Sequence, residues 1–343
     1  MKGARCKGIA KVHDYLIEML ECPACHGKLA WTISERRGGR IESAEARCVG
    51  CAASYPVREG IALFLTPDLP RNDLWEQTAG RLSRYLGEHP EIERQLMGVP
   101  LDALAPADQF FRALVLEERG NYAEAQAAAG LAYPGLYTPQ YLACHESQMA
   151  CIVEQLRASD GPVIDLASGR CSLVEVLARR LGQPVVATDF SPRALRRDRQ
   201  WLEFLGLYDR VSLLSFDARR TPFRDGAVKT LTTNLGLPNI AEPGNLLREL
   251  RRVVSGTFWA VSHFYAEGDE VNATAIHEAG LAPLLFRRSA LELFAAAGWQ
   301  VEVVNSQKGR ALPTPRSELL GGAGIDGFPV AETVLEWCVL VAR

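Results

Sequence analysis

The sequence predicts an α/β protein built on a doubly wound, mainly parallel sheet, with a small four-cysteine module in front of it and a helical insertion between the two. Three observations carry that prediction. The first is a βαβ unit. Val163-Ile164-Asp165 runs into the small-residue turn Leu166-Ala167-Ser168-Gly169-Arg170-Cys171, and Val185-Val186-Ala187-Thr188-Asp189 ends in a second acid 24 residues after the first. The second is an alternation of apolar strands with helical patterns to about residue 262, which implies parallel strands joined by right-handed crossovers. The third is a pair of Cys-x2-Cys knuckles, Cys22/Cys25 and Cys48/Cys51, separated by 22 residues. The expected units are residues 13–67, a helical linker or lid over 68–150, and the sheet domain over 151–343.

Each element has a local reason. Ser172-Leu173-Val174-Glu175 reads as a capping box opening a helix to about residue 181. Ser191 followed by Pro192 is a capping serine with proline at the first helical position, for a helix to about residue 205. A strand over 211–216 precedes Asp217-Ala218. Asp225-Gly226 then turns the chain into a strand over 227–233. Leu246, Leu247, Leu250, Val253 and Val254 keep helical spacing before Gly256 and a strand over 257–262. Ser289-Ala290-Leu291-Glu292 predicts another capped helix, closed by Gly298. Strands near 299–305 and 333–342, with no helix between them, predict a terminal antiparallel hairpin.

The acids and the turn imply a ligand. A turn of small residues lets the backbone approach it, and Asp189 is placed to take two ribose hydroxyls. The turn carries neither G-x-G-x-x-G nor G-x-x-x-x-G-K-[ST], so a ligand with adenosine but no phosphate, S-adenosylmethionine first, fits better than a dinucleotide or triphosphate. Residues 163–262 resemble class I S-adenosylmethionine-dependent methyltransferases, whose Rossmann-like sheet is the expected fold. The family's first motif stands here as Asp165-x-Ala167-x-Gly169-x-Cys171, with Ala167 and Cys171 in place of glycines. The resemblance implies that Asp165, Ala167 and Gly169 border the cofactor and that Asp189 holds the ribose. It also implies that Phe190 packs on the adenine, which Asp217 and the Ala218 amide hold. The run Thr233-Asn234-Leu235-Gly236-Leu237-Pro238-Asn239 replaces the N-P-P-Y or D-P-P-Y of amide and nucleobase nitrogen methylation. It resembles the looser motif of small-molecule methyltransferases, including the quinone-biosynthesis type, and Asn234 is a candidate to meet cofactor or acceptor. Methyl transfer needs an aligned nucleophile, exclusion of water and, where required, removal of a proton. His263 and Tyr265 are the candidate proton acceptors. Lys229 stands where the family often has an acid.

Four cysteines at this spacing suit one tetrahedral zinc ion. A dithiol redox pair is the alternative for either knuckle alone. Residues 29–33 and 41–46 read as hairpin strands joined at Gly38-Gly39. The module resembles the small zinc-ribbon activator subunit of tRNA and release-factor methyltransferases. That resemblance rests on Leu20-Glu21-Cys22-Pro23-Ala24-Cys25-His26-Gly27-Lys28-Leu29 and Tyr55-Pro56-Val57-Arg58-Glu59-Gly60-Ile61. A module of about 55 residues cannot bury enough core unaided, so zinc is read as structural. Chelation is expected to unfold residues 13–67 and leave much of the sheet intact. Residues 1–67 carry ten Lys/Arg against seven Asp/Glu, an excess that the tetrathiolate site largely cancels, which is no strong nucleic-acid footprint.

The chain has 343 residues, 48% hydrophobic, with a net charge of −3, which allows two or three domains and argues against a globally basic RNA binder. No secretory signal or membrane span is read, so a cytoplasmic protein is expected, with Cys6, Cys144, Cys151, Cys171 and Cys338 as reduced thiols. Pro67-Asp68-Leu69-Pro70 reads as a linker, and 72–86 and 106–130 as helices. Tyr133, Tyr137 and Tyr141 are candidate lid residues over an acceptor pocket. The arginine pairs at 179–180, 196–197, 219–220, 251–252 and 287–288 read as solvated helix faces. The expected function is methyl transfer to a small or medium organic acceptor. RNA base methylation guided by the ribbon, and a catalytically inactive zinc-ribbon adaptor, are the alternatives.

Overall fold

The computed structural model describes residues 14–66, 68–69 and 74–343. Cys6, residue 13, Pro67, Pro70 and the first two residues of the helix expected over 72–86 lie outside the described residues. The strands are β1 (Leu29–Arg37), β2 (Arg40–Cys48), β3 (Ser54–Arg58), β4 (Ile61–Phe64), β5 (Val163–Asp165), β6 (Val185–Asp189), β7 (Val211–Phe216), β8 (Val228–Asn234), β9 (Val254–Phe264), β10 (Val301–Ala311) and β11 (Thr333–Ala342). They form one sheet in the order β1-β2-β3-β4-β7-β6-β5-β8-β9-β11-β10. The run from β4 to β9 is parallel throughout. β11 is antiparallel to both β9 and β10, the expected terminal hairpin. Every residue of β5, β6 and β7 is buried, as apolar strands covered on both faces should be.

The helices are α1 (Asp14–Met19), α2 (Leu74–Glu88), α3 (Pro90–Gly98), α4 (Pro106–Glu118), α5 (Tyr122–Leu136), α6 (Pro139–Leu156), α7 (Ser172–Arg180), α8 (Pro192–Phe204), α9 (Pro243–Val253), α10 (Glu270–Glu278), α11 (Ala282–Leu285) and α12 (Arg287–Ala296). Ser191 caps α8 as expected, its Oγ accepting from the Ala194 amide at 3.3 Å. Ser172 does not cap α7. Cys171, at φ +57°, takes the cap position, and the Ser172 hydroxyl accepts from Asn234 instead. Glu175 is turned to Arg179 and Trp201 rather than back to a capping amide. Ser289 likewise lies inside α12, which starts after Phe286. β9 begins at Val254, so Gly256 sits within the strand. The single helix expected over 106–130 is two, α4 and α5, separated where Gly120 adopts φ +78°. Ala107, Ala113, Ala125 and Ala128 are fully buried in that region, and such small side chains let helices approach closely.

The four-cysteine module is not a separate body. β4 pairs in parallel with β7, Phe64 opposite Phe216, so β1–β4 extend the main sheet. Leu16, Leu20, Cys22 and Tyr55 belong to the same apolar core as Ile164, Leu214 and Phe223. Phe64 is fully buried and stacks on Tyr55 at 5.0 Å between ring centroids. Arg40 reaches over the Tyr208 ring at 3.5 Å and donates to the Val211 carbonyl at 2.9 Å. The expectation of independent unfolding therefore does not match the fold. Ile61-Ala62-Leu63-Phe64 is an apolar run with partners on both sides. The boundary drawn at 150/151 falls inside α6.

Phe64→Ala is expected to destabilise the fold by about 3–5 kcal/mol, the usual cost of emptying a buried aromatic site. Urea denaturation followed by fluorescence checks this; a loss below about 1 kcal/mol would show that the β4–β7 contact contributes little.

Candidate functional site

The strand order reverses between β5 and β8, and a ligand crevice forms at the carboxyl ends of strands at such a switch point. A cleft of about 1370 Å3 opens there. Its floor comprises the turn after β5, Asp189 at the end of β6 with Phe190 beyond it, Asp217-Ala218 after β7 and Asn234 at the end of β8. Residues from α4, α5 and α6 face them, together with Gly324-Ile325-Asp326. Asp108 holds the stretch just before that segment, Ser317 to Leu319, to α4. Its carboxylate accepts from the Ser317 hydroxyl and from the Glu318 and Leu319 amides at 3.2 and 3.3 Å.

The turn after β5 is tightly wound. Ala167, Gly169 and Cys171 all sit at positive φ, +52°, +56° and +57°. These are the three positions where the motif has glycine, so the backbone keeps the glycine geometry at two residues that resist it. The Ser168 amide donates to the Thr188 carbonyl at 2.8 Å, and Arg197 fastens the turn from behind by donating to the Gly169 carbonyl at 2.6 Å. Asp165 lies beneath the turn, 1% exposed, with Oδ1 accepting from the Thr232 hydroxyl at 2.7 Å. It does not line the cleft. Burial pushes its carboxyl up to about 7, against the hydrogen bonds from Thr232 and Ser168.

Asp189 does line the cleft. Its Oδ2 accepts from the Gly169 amide at 3.0 Å and its Oδ1 from the Ser191 amide at 2.9 Å. Burial raises it to about 6. Phe190 and Ala218 also line the cleft. Asp217 does so too, but Arg219 engages both its oxygens, through the amide at 2.9 Å, Nε at 3.0 Å and Nη2 at 2.7 Å, and bridges onward to Glu242. Arg197, Arg219 and Arg252 are thus tied into the fold, and the reading of their pairs as solvated faces fails for these members.

Asn234 links two elements. Its Nδ2 donates to the Ser172 hydroxyl at 3.0 Å, and its Oδ1 lies 3.0 Å from His145 Nε2. His145, on α6, lines the cleft and was not singled out by the sequence, because it sits in a helix outside any motif. His263 and Tyr265 do not line the cleft. His263 lies opposite Trp337 in the β9–β11 pairing, with ring centroids 5.0 Å apart. Burial lowers its pKa to about 4, and its buried Nδ1 has no hydrogen-bond partner among the described residues. Tyr133, Tyr137 and Tyr141 are on the cleft wall as expected.

The four cysteines converge. Their Sγ atoms all lie within 4.8 Å of one another, Cys22–Cys51 at 3.6 Å and Cys25–Cys48 at 3.4 Å. A tetrahedral zinc about 2.3 Å from each sulfur places the sulfurs about 3.8 Å apart, so the donor set fits such an ion. Gly27 is required there, since a Cβ would come within 2.9 Å of Cys48 Sγ. The Gly50 and Cys51 amides donate to Cys48 Sγ at 3.3 and 3.4 Å, and the Tyr55 hydroxyl lies 3.3 Å from Cys22 Sγ. His26 stands outside the cluster, bonded to Glu21 at 2.7 Å. The segment entering the first knuckle is also stitched to the loop after Asp217. The Glu21 amide donates to the Pro222 carbonyl at 2.7 Å, the Arg224 amide to Met19 at 2.9 Å, and Leu20 bridges Phe223. No helix among the described residues is long and apolar enough to cross a membrane.

Comparison with known proteins agrees with this geometry. Residues 164–257 match the family described as a methyltransferase domain. The ubiquinone/menaquinone biosynthesis C-methyltransferase UbiE of Yersinia enterocolitica is 33% identical over 94 residues, which are 27% of this chain and 38% of that protein. The protein of the same name from Pectobacterium carotovorum is 30% identical over the same shares. The chain therefore spans under two-fifths of the length of these relatives. Among solved structures, YcgJ from Bacillus subtilis aligns with a TM-score of 0.46 at 12% identity, over 58% of this chain and 98% of that one. The chain carries a methyltransferase domain on a Rossmann-like sheet.

Two outcomes follow from the turn. Ala167→Gly relieves a left-handed alanine and is expected to stabilise the protein by about 0.5–1 kcal/mol in thermal or urea melts; destabilisation would contradict the assigned backbone. For Asp165, the folded state keeps a proton that the unfolded chain, with an ordinary carboxyl near 3.8, has already released. Its contribution to stability therefore falls as pH rises from about 4 to about 7. Asp165→Asn is expected to flatten that slope, and an unchanged pH–stability profile would contradict it.

Proposed function

We propose that this protein is an S-adenosylmethionine-dependent methyltransferase acting on a small or medium-sized organic acceptor, with a structural zinc ion held by Cys22, Cys25, Cys48 and Cys51. The observation that carries the reading is Asp189, a cleft carboxylate fixed by two backbone amides beside a turn wound in the glycine conformation. That arrangement suits a ribose diol, with Phe190 alongside for the adenine and the Ala218 amide beyond it. The bound cofactor would supply an electrophilic methyl group. The chain's own residues would hold it, keep water out and orient the acceptor.

A small acceptor is favoured by the wall opposite the floor, where Phe110, Leu114, Tyr133, Tyr137, Tyr141 and Met149 give an apolar, aromatic surface. The UbiE relatives, named as quinone-biosynthesis C-methyltransferases, point the same way over the matched 94 residues. The cleft's arginines give RNA little support, since Arg170 pairs with Glu117, Arg179 with Glu175, and Arg219 with Asp217 and Glu242. The hold of Arg219 on Asp217 favours an inactive adaptor, because it engages the acid otherwise assigned to the adenine.

Calorimetry with S-adenosylmethionine separates these readings. The wild-type protein is expected to bind one equivalent, and Asp189→Ala to lose about 1.5–3 kcal/mol, tenfold or more in affinity. Unchanged affinity in the variant would refute the site; no binding by the wild type would favour the adaptor.

A further inference from the structure

We infer that His145 accepts a proton from the methyl acceptor, and that the acceptor is a flat ring bearing an ionisable hydroxyl that lies along the Tyr137–Tyr141 stack. This rests on reading the cleft as an S-adenosylmethionine site. His145 is half-buried on α6 and lines the cleft next to Asn234, at the carboxyl end of β8. With the Asn234 amide donating to Ser172 at 3.0 Å, Oδ1 is left to accept the Nε2–H of His145, also at 3.0 Å. That bond selects the tautomer with a free lone pair on Nδ1, which has no hydrogen-bond partner among the described residues. Burial holds the imidazole below its ordinary pKa, so it is neutral and able to accept a proton near pH 7.

The surroundings choose the acceptor's shape. Tyr141, one helical turn before His145, stacks on Tyr137 with centroids 4.8 Å apart and planes 15° from parallel, and Tyr137 continues to Tyr133 at 6.1 Å and 30°. Tyr141 and His145 both pack against Trp337, at 4.9 and 5.7 Å, so neither ring can swing freely. Tyr137 already stacks with Tyr133 and Tyr141, so the wall favours a planar ring by edge-to-face contact, and His145 bonds Asn234 at the end of β8. In the transfer the hydroxyl oxygen forms its bond to the methyl carbon while the methyl–sulfur bond breaks, its electron pair staying on sulfur. The hydroxyl proton passes to His145 Nδ1. The imidazolium so formed is stabilised by Asn234 Oδ1 and returns its proton to solvent.

The test uses the full chain saturated with S-adenosylhomocysteine, with 4-nitrophenol as the probe, because its anion is yellow and its neutral form is not. At one fixed pH, saturable binding is expected, with an excess of the bound dye in its anionic form over that bound by a protein lacking the imidazole, because His145 takes the phenol's proton. His145→Gln, of similar size and still able to reach Asn234, is expected to bind the dye but lose that excess of anion, with its melting temperature unchanged. Equal ionisation in wild type and His145→Gln would overturn the proton-accepting role. No saturable dye binding by the loaded wild type would overturn the acceptor class. Failure of S-adenosylhomocysteine itself to bind in calorimetry would overturn the methyltransferase reading, a distinct failure.

Discussion

The parallel pairing of Ile61–Phe64 with Leu213–Phe216 is the contact on which the rest of the molecule depends. Without it, β7 would be the edge of the doubly wound sheet, an apolar strand with unpaired amides and carbonyls facing outward. β7 also leads directly into Asp217 and the loop that forms one end of the cleft. The four-cysteine module supplies the missing neighbour strand. It then ties the loop down a second time, through the Glu21–Pro222 and Met19–Arg224 backbone bonds just before Cys22. A metal at Cys22 would thus fix the segment that fixes this end of the cleft.

The cleft follows a similar economy, in which most polar groups are already spoken for. Asp165 shapes the turn from beneath, bonded to Thr232, and Arg197 holds the same turn from behind. Asp189 keeps its carboxylate at the surface of the cleft because the Gly169 and Ser191 amides hold it there. Three residues in the left-handed region, two of them not glycine, show that the turn's shape is imposed by these neighbours rather than by local preference. His145 and Asn234 then bring a titratable group from the inserted helices to the end of β8.

The sheet domain was legible because its signals are local. Acids at the ends of apolar strands, a Ser-Pro helix start and a Cys-x2-Cys pair each declare themselves within a few residues. What was not legible depends on contacts far apart in sequence. Nothing near Ile61-Ala62-Leu63-Phe64 says that its partner lies some 150 residues on, so the module read as separable. His145 carries no motif and sits on α6, in a stretch read only as part of a helical linker or lid. His263 drew attention because it follows the strand read as ending at residue 262, yet it lies within β9 and Trp337 from β11 packs on it. Ser172 has the capping-box spacing, but Cys171 in the left-handed conformation takes the cap and frees the serine for Asn234.

Amide hydrogen exchange on zinc-loaded and chelated protein tests the dependence of the sheet on the four-cysteine module most directly. If the module and the sheet are one structure, removing zinc strips protection from the knuckles, from Ile61–Phe64, and also from Val211–Phe216 and the loop to Arg224. Loss confined to residues 22–51, with β7 as protected as before, would contradict that account.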